Sequence, residues 1–246
     1  MTADFVTVLW KEWKEIVMER SAGSTGSYRP LIAIAVFGIF FPFRMGPERF
    51  FSVVGLLPPT FFGAIVITAV IADSFAGERE RHTLETLLAS RLSDRSILFG
   101  KIAACMAYGW VISIASILIG GITVNAVNWH GQISIFHDAA SWLLLLLGPP
   151  LVGCAIAAAG VLVSLHSTTV RQAQQTLSVA FMVVVVGAIF ASGALPADWK
   201  AWFARILFTW SEADLVLGAA GVFLIIDLVL LAAGMARFQR ARLVLD

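Results

Sequence analysis

The sequence predicts an all-α polytopic membrane protein with six transmembrane helices. Hydrophobic residues make up 59% of the chain, charged residues only 13%, and the mean hydropathy is +0.88. A soluble globular domain carries about 25% charged residues. The apolar residues also form separate runs, and a membrane-spanning helix needs about 20 such residues. Composition and run length therefore both predict a bundle of membrane helices.

Residues 4–20 predict an amphipathic helix before the first run. At the helical repeat, the apolar side chains fall on one face and the charged ones on the opposite face. The apolar set is Phe5, Val6, Leu9, Trp10, Trp13, Ile16 and Val17, and the polar set is Asp4, Lys11, Glu12, Lys14, Glu15 and Glu19. A helix of this kind lies in the membrane interface. A helix of a soluble bundle is the alternative.

The six predicted spans form one transmembrane domain, residues 1–246. They are residues 29–46, 50–75, 102–127, 142–165, 176–195 and 215–236. The first contains only a short apolar run and needs flanking residues to cross. The small residues Gly153, Ala157 and Gly160 in the fourth predict close helix packing.

The distribution of lysine and arginine supports six spans with both termini in the cytoplasm. In that topology 13 of the Lys and Arg residues lie inside and four outside. If the first run did not cross, the two sides would be nearly equal. Because basic residues concentrate in cytoplasmic segments, we expect a multi-pass protein of a bacterial or archaeal cytoplasmic membrane.

Residues 76–101 predict a cytoplasmic loop between the second and third spans. It is dense in charges of both signs, yet Leu84, Leu87 and Leu88 form a small apolar stripe at helical spacing. Ser93 is a predicted N-cap, with Asp94 in the first turn of the next helix. Such a loop can transmit movement between a soluble partner and the membrane. A solvated loop held by its own salt bridges is the alternative.

On the outer side, residues 196–214 predict an amphipathic segment with tryptophans at helical spacing. An aromatic anchor at the interface and a role in a substrate exit path both remain open for it.

Two proline pairs and one acid stand out inside the spans. Pro58, Pro59, Pro149 and Pro150 each interrupt helical hydrogen bonding, as in a moving cavity wall or a static kink. Asp227 lies near the centre of the last span, where a carboxylate is paired, protonated or in contact with water. A contact with substrate or proton, an inter-helix hydrogen bond and a contact at a dimer seam all remain open for it.

The sequence of the charged loop, ERERHTLETLLASRLSDRSILFGK, resembles that of type-2 ATP-binding-cassette (ABC) transporter permeases. The matching features are Glu78 and Glu80, Thr83-Leu84-Glu85, Leu87-Leu88, Leu92-Ser93 and Gly100-Lys101. His82 departs from the pattern, because the family often has glycine there, and we expect it to stiffen the turn.

The resemblance implies the permease subunit of an ABC exporter. It implies that the loop carries a coupling helix seated on a separate ATP-binding subunit, and that two such subunits work with two permease chains, identical or homologous. Residues forming or supporting this contact would be Glu78, Glu80, Thr83, Leu84, Glu85, Leu87 and Leu88. The partner subunit would bind ATP and Mg²⁺, and we expect no cofactor in this chain. The only Gly-Lys pair lacks the rest of a P-loop, so we expect no nucleotide hydrolysis here.

Other functions are weaker but distinct. An intramembrane serine protease would need a base that the final span lacks, and a secondary transporter would need more than one central acid. A non-transporting membrane protein that an ATPase partner regulates, in signalling or envelope assembly, remains the alternative. No feature points to nucleic acid.

Overall fold

The computed structural model describes residues 2–21, 29–83, 91–129 and 131–238, and these residues are almost entirely helical. The helices are α1 (Thr2–Ser21), α2 (residues 29–44), α3 (Pro47–Phe50), α4 (Val53–Glu80), α5 (Asp94–Val127), α6 (Ala139–Ser164), α7 (Val170–Ala194), α8 (Ala197–Thr209) and α9 (Glu212–Arg237). Both α2 and α4 contain a π-helical turn, at Val36–Phe40 and Asp73–Gly77.

Local capping fixes where the long helices begin. The Ser93 hydroxyl accepts a hydrogen bond from the Ser96 amide and caps α5, as predicted. Thr169 caps α7 in the same way, and Ser211 forms a reciprocal capping box with Asp214 at the start of α9. Each cap satisfies amide groups that the first helical turn leaves without a partner.

Helix α6 lies between α4 and α9, and α5 packs on α1, α2, α4 and α6. The close packing predicted for the small residues of α6 is confirmed. Ala157 is fully buried, and a Cβ atom on Gly160 would collide with the Ile71 side chain of α4. Glycine is needed on α4 as well, because a Cβ atom on Gly63 would lie 2.6 Å from the Gly109 carbonyl oxygen of α5.

Helices α7 and α8 are the least covered. Ala173 and Leu177 bury the first turns of α7, but Val184 is 69% exposed further along, and no described side chain of α8 is buried. Much of the apolar surface of these two helices is therefore available to lipid or to another chain.

The described helices extend beyond several of the predicted spans. Helix α4 continues to Glu80, past the predicted residue 75, and α5 begins at Asp94, ahead of the predicted residue 102. Helix α7 begins at Val170, ahead of the predicted residue 176. The added turns are polar, and hydropathy alone assigns such turns to loops.

Four of the described helices are long and apolar enough to cross a membrane: Val53–Glu80, Asp94–Val127, Ala139–Ser164 and Glu212–Arg237. They correspond to the second, third, fourth and sixth predicted spans. The count of six stays a prediction.

Candidate functional site

A buried ion-pair cluster joins three helices at the base of the charged loop. Its centre is Lys101 of α5, whose side chain is 0% exposed. The Lys101 ammonium lies 2.7 Å from Glu12 Oε1 of α1 and 2.8 Å from Glu78 Oε1 of α4, and donates to the Ser74 carbonyl oxygen at 3.0 Å. A buried ammonium requires such partners because it has lost its hydration. We call these residues, together with Lys11, the Lys101 cluster.

Lys11 supplies the second positive charge. Its ammonium lies 3.1 Å from Glu12 and 3.2 Å from Glu78, and it also pairs with the half-exposed Glu15. The three carboxylates lie close enough together to suggest a metal centre. Because Lys11 and Lys101 neutralise them, the arrangement is an ion-pair cluster and not a set of free metal ligands.

The cluster shifts the pKa values of its members on α1. Burial alone would raise the pKa of Glu12, but the Lys101 and Lys11 ammonium groups outweigh burial and hold that pKa below its ordinary value of 4.5. Burial alone would lower the pKa of Lys11, and the carboxylates of Glu12, Glu78 and Glu15 raise it above its ordinary value of 10.5. Both groups are therefore charged across the physiological pH range.

The position of Glu12 corrects one sequence-based assignment. The helical pattern put Glu12 on the polar face, which would be exposed to water, but the residue is 3% exposed and faces α5. Val8, Glu12 and Ile16 form the buried side of α1. Val6 and Trp10 of the predicted apolar face are 58% and 67% exposed, and so remain available to lipid. Glu12 can be buried because Lys101 neutralises it.

The next three charged residues of the loop tie it to other parts of the bundle. Arg79 Nη1 donates to the Leu165 carbonyl oxygen at 2.9 Å, just past the end of α6. Glu80 Oε2 accepts from the Val170 amide at 3.1 Å, at the start of α7. Arg81 forms an exposed ion pair with Asp73. The charged loop is thus bonded to the α6–α7 connection, the other polar turn at this end.

The backbone at His82 adopts a conformation that favours the glycine often found at this position in the family. His82 has a φ of 58°, in the left-handed region that glycine adopts without strain. The Thr83 amide then donates to the Glu78 carbonyl oxygen at 2.9 Å and closes the turn. A glycine would make the same turn without the steric cost of a side chain.

The structure describes three of the seven predicted ATPase-contact residues. Glu78 is buried in the Lys101 cluster, whereas Glu80 and Thr83 are exposed at its edge. The other four, Leu84, Glu85, Leu87 and Leu88, lie outside the described residues. The contact with the ATPase subunit stays a prediction. In it, Glu78 holds the start of the loop against the helix bundle and does not itself contact the partner.

The other predicted residues lie within the bundle. Asp227 of α9 is 3% exposed, and its Oδ1 atom has no hydrogen-bond partner among the residues that the structure describes. Both proline pairs stand beside one cavity of about 530 Å³, because Leu57 and Thr60 line it next to the first pair, and Gly148 and Leu151 next to the second.

Sequence reasoning missed Glu12 and Ser74 as partners of Lys101 and Arg79 as a link to α6. One signal was present: a lysine at the start of an apolar span must have a counter-ion. The identity of that counter-ion was not readable, because Glu12 is 89 residues away in the chain.

The fold and the site define a polytopic helical membrane protein whose residues 78–81, at the start of the charged loop, are bonded to the helix bundle. Residues 44–234 match the family model of the ABC-2 family transporter proteins. The match covers most of the chain, which therefore belongs to this family. A comparison with curated proteins gives no match. The chain is accordingly a multi-pass permease subunit of an ABC transporter, a membrane component that works with a separate ATPase.

Proposed function

We propose that this chain is an exporter permease that receives the force of ATP hydrolysis through residues 78–93. Leu84, Leu87 and Leu88 give the loop a small apolar face that suits a cleft in the ATP-binding subunit. That subunit binds ATP and Mg²⁺, and two copies of it act with two permease chains. Export as the direction rests on the resemblance of the loop to those of exporters.

The Lys101 cluster is the observation that carries this proposal. A coupling segment transmits movement of the ATPase subunit to the membrane helices only if its own base stays rigidly attached to those helices. The segment begins with Glu78 in the last turn of α4, and Lys101 binds Glu78 together with Glu12 of α1. Removing one member of a buried ion pair costs about 3–5 kcal/mol, so the base of the loop resists separation from α1 and α5.

The contacts of Arg79 and Glu80 extend the same mechanism. Since both residues bond to the α6–α7 connection, a push on the loop reaches α6 and α7 as well as α4 and α5. The apolar surface of α7 and α8 supports a second permease chain, which would cover part of it.

Co-purification tests the proposal. The tagged chain is isolated in mild detergent at native expression level, and its partners are identified by mass spectrometry. We expect a P-loop ATPase near equal stoichiometry, lost when Leu84, Leu87 and Leu88 are changed to Asp. The control variant Thr7→Asp/Gln175→Asp/Thr176→Asp adds three charges at exposed positions of the same end and should retain it. Absence of any ATPase, or its equal recovery with the leucine variant, would contradict the proposal.

A further inference from the structure

We propose that the cavity between α4, α6 and α9 binds a lipophilic organic cation. It lies at the end of the bundle opposite the Lys101 cluster. It is lined near the starts of three helices by Ser52, the N-cap of α4, and by Val53 of α4, Leu144 of α6, and Glu212 and Leu215 of α9. This binding site is additional to the proposed coupling function and does not depend on it.

The size and lining of the cavity suit one small organic molecule. Its volume is about 530 Å³, within the range of about 300–1,000 Å³ typical of ligand pockets. Leucine, valine, alanine and phenylalanine side chains form most of the wall. An apolar body of drug size would therefore be removed from water there.

The polar groups of the wall select the charge of the ligand. Glu212 contributes a carboxylate, and no ion-pair partner for it is among the residues that the structure describes. The two side-chain hydroxyls of the lining are already used as donors: Ser52 donates to the Arg49 carbonyl oxygen and Thr60 to the Leu56 carbonyl oxygen. The lining side chains thus offer a negative charge and no unused hydroxyl donor.

The first proline pair adds one acceptor to the wall. Because proline has no N–H, Pro58 leaves the carbonyl oxygen of the lining residue Val54 without its helical donor. A carbonyl oxygen and a carboxylate both favour a positively charged guest over an anion.

Binding of tritiated tetraphenylphosphonium to the full chain in nanodiscs tests the site, with empty nanodiscs subtracted. We expect saturable binding of tetraphenylphosphonium by the wild-type chain, and weaker binding, by about fivefold or more, of the same-shaped anion tetraphenylborate. Glu212→Gln should weaken binding about fivefold, the effect of one exposed charge pair. Ala219→Trp should abolish it by filling the cavity, whereas Leu228→Trp, at a position 60% exposed on the same helix, should leave it unchanged.

Three results would overturn this inference: no saturable binding by wild type, equal binding by Glu212→Gln, or equally tight binding of tetraphenylborate. Glu212→Asp, which keeps the charge, should retain binding and separates loss of charge from loss of fold. Efficient disulfide formation between two Ala219→Cys chains in native membranes would also overturn it, because a second copy of the chain would then occupy the cavity.

Discussion

The Glu80 carboxylate accepts a hydrogen bond from the Val170 amide at 3.1 Å, across 90 residues of sequence. This bond caps the start of α7 with a side chain from the end of α4. A negative charge at a helix N-terminus is stabilising. The start of the charged loop and the α6–α7 connection are therefore bonded to each other at this end of the bundle.

Changing Glu80 to Ala removes this cap. We expect a loss of about 1 kcal/mol in the free energy of unfolding, the usual effect of losing a helix cap. Amide hydrogen exchange at Val170 should become faster. Glu48→Ala, in the first turn of α3 and exposed, is the matched control. Unchanged exchange at Val170 in Glu80→Ala would show that the bond contributes nothing.

Lys101→Met should be the most damaging single change at this end. It leaves Glu12 and Glu78 buried without their main counter-ion, and we expect a cost of about 3–5 kcal/mol in thermal unfolding measured in detergent. The exposed Lys14→Met of α1 should cost little.

A rescue variant separates the lost charge from lost packing. Lys101→Met/Glu12→Gln/Glu78→Gln carries no unpaired buried carboxylate from the cluster, so we expect it to recover part of the stability. A triple variant no more stable than Lys101→Met would mean that packing around the lysine side chain, and not charge, is what the cluster provides.

Acid should release α1 from the bundle. The pKa of Glu12 lies below its ordinary value of 4.5 in the folded protein, so its stabilising contribution is present above about pH 4.5 and is lost as the pH falls through the folded value. The raised pKa of Lys11 gives the opposite sign: its contribution is complete below about pH 10.5 and is lost only above that value.

The check is the difference in melting temperature between wild type and Glu12→Gln, measured from about pH 3 to about pH 9. We expect a constant difference from about pH 5 upwards and a shrinking one in more acidic buffer. A difference that does not vary with pH would contradict ionisation of Glu12 in the cluster.

His82→Gly should be neutral to stabilising. Removing the side chain from the left-handed backbone should stabilise the fold by about 1–2 kcal/mol. The larger conformational entropy of glycine in the unfolded chain should offset about 0.5–1 kcal/mol of that gain. His82→Val should destabilise instead, because a β-branched residue tolerates a φ of 58° poorly. Melting temperatures of the two variants in detergent decide this, and equal values would contradict a strained turn.

Gly63→Val should disrupt the contact between α4 and α5, since even a Cβ atom would lie 2.6 Å from the Gly109 carbonyl oxygen. We expect loss of the monodisperse peak in size-exclusion chromatography. Gly187→Val, at an exposed position of α7 with no atom within 4 Å of a Cβ, is the control and should behave as wild type. Normal behaviour of Gly63→Val would contradict the close approach of the two helices.

Local signals in the sequence predicted local structure well. The Ser93 cap depends only on neighbours within a few residues, and the structure confirms it. Helix α1 forms as predicted, but its buried face includes Glu12, which the helical pattern placed on the polar side. The partners of Glu12 and Arg79 could not be predicted, because they lie 62 to 89 residues away and depend on which helices meet. The polar face of α1 illustrates the reason: periodicity identifies the face but not what it packs against.

Spin-label distances in the complex with the ATPase subunit test most directly whether the loop and α1 move as one body. One label pair joins the exposed residues Thr7 and Arg91, and a second pair joins Arg91 and the exposed Lys200 of α8. Cys105 and Cys154 are first replaced, and unlabelled chain is added in excess. On adding Mg-ATP and vanadate to the wild-type complex, we expect the Thr7–Arg91 distance to stay the same and the Arg91–Lys200 distance to change. In Lys101→Met, we expect the distribution of Thr7–Arg91 distances to become broader. A Thr7–Arg91 distance that changes in wild type as much as the Arg91–Lys200 distance would contradict transmission through the Lys101 cluster.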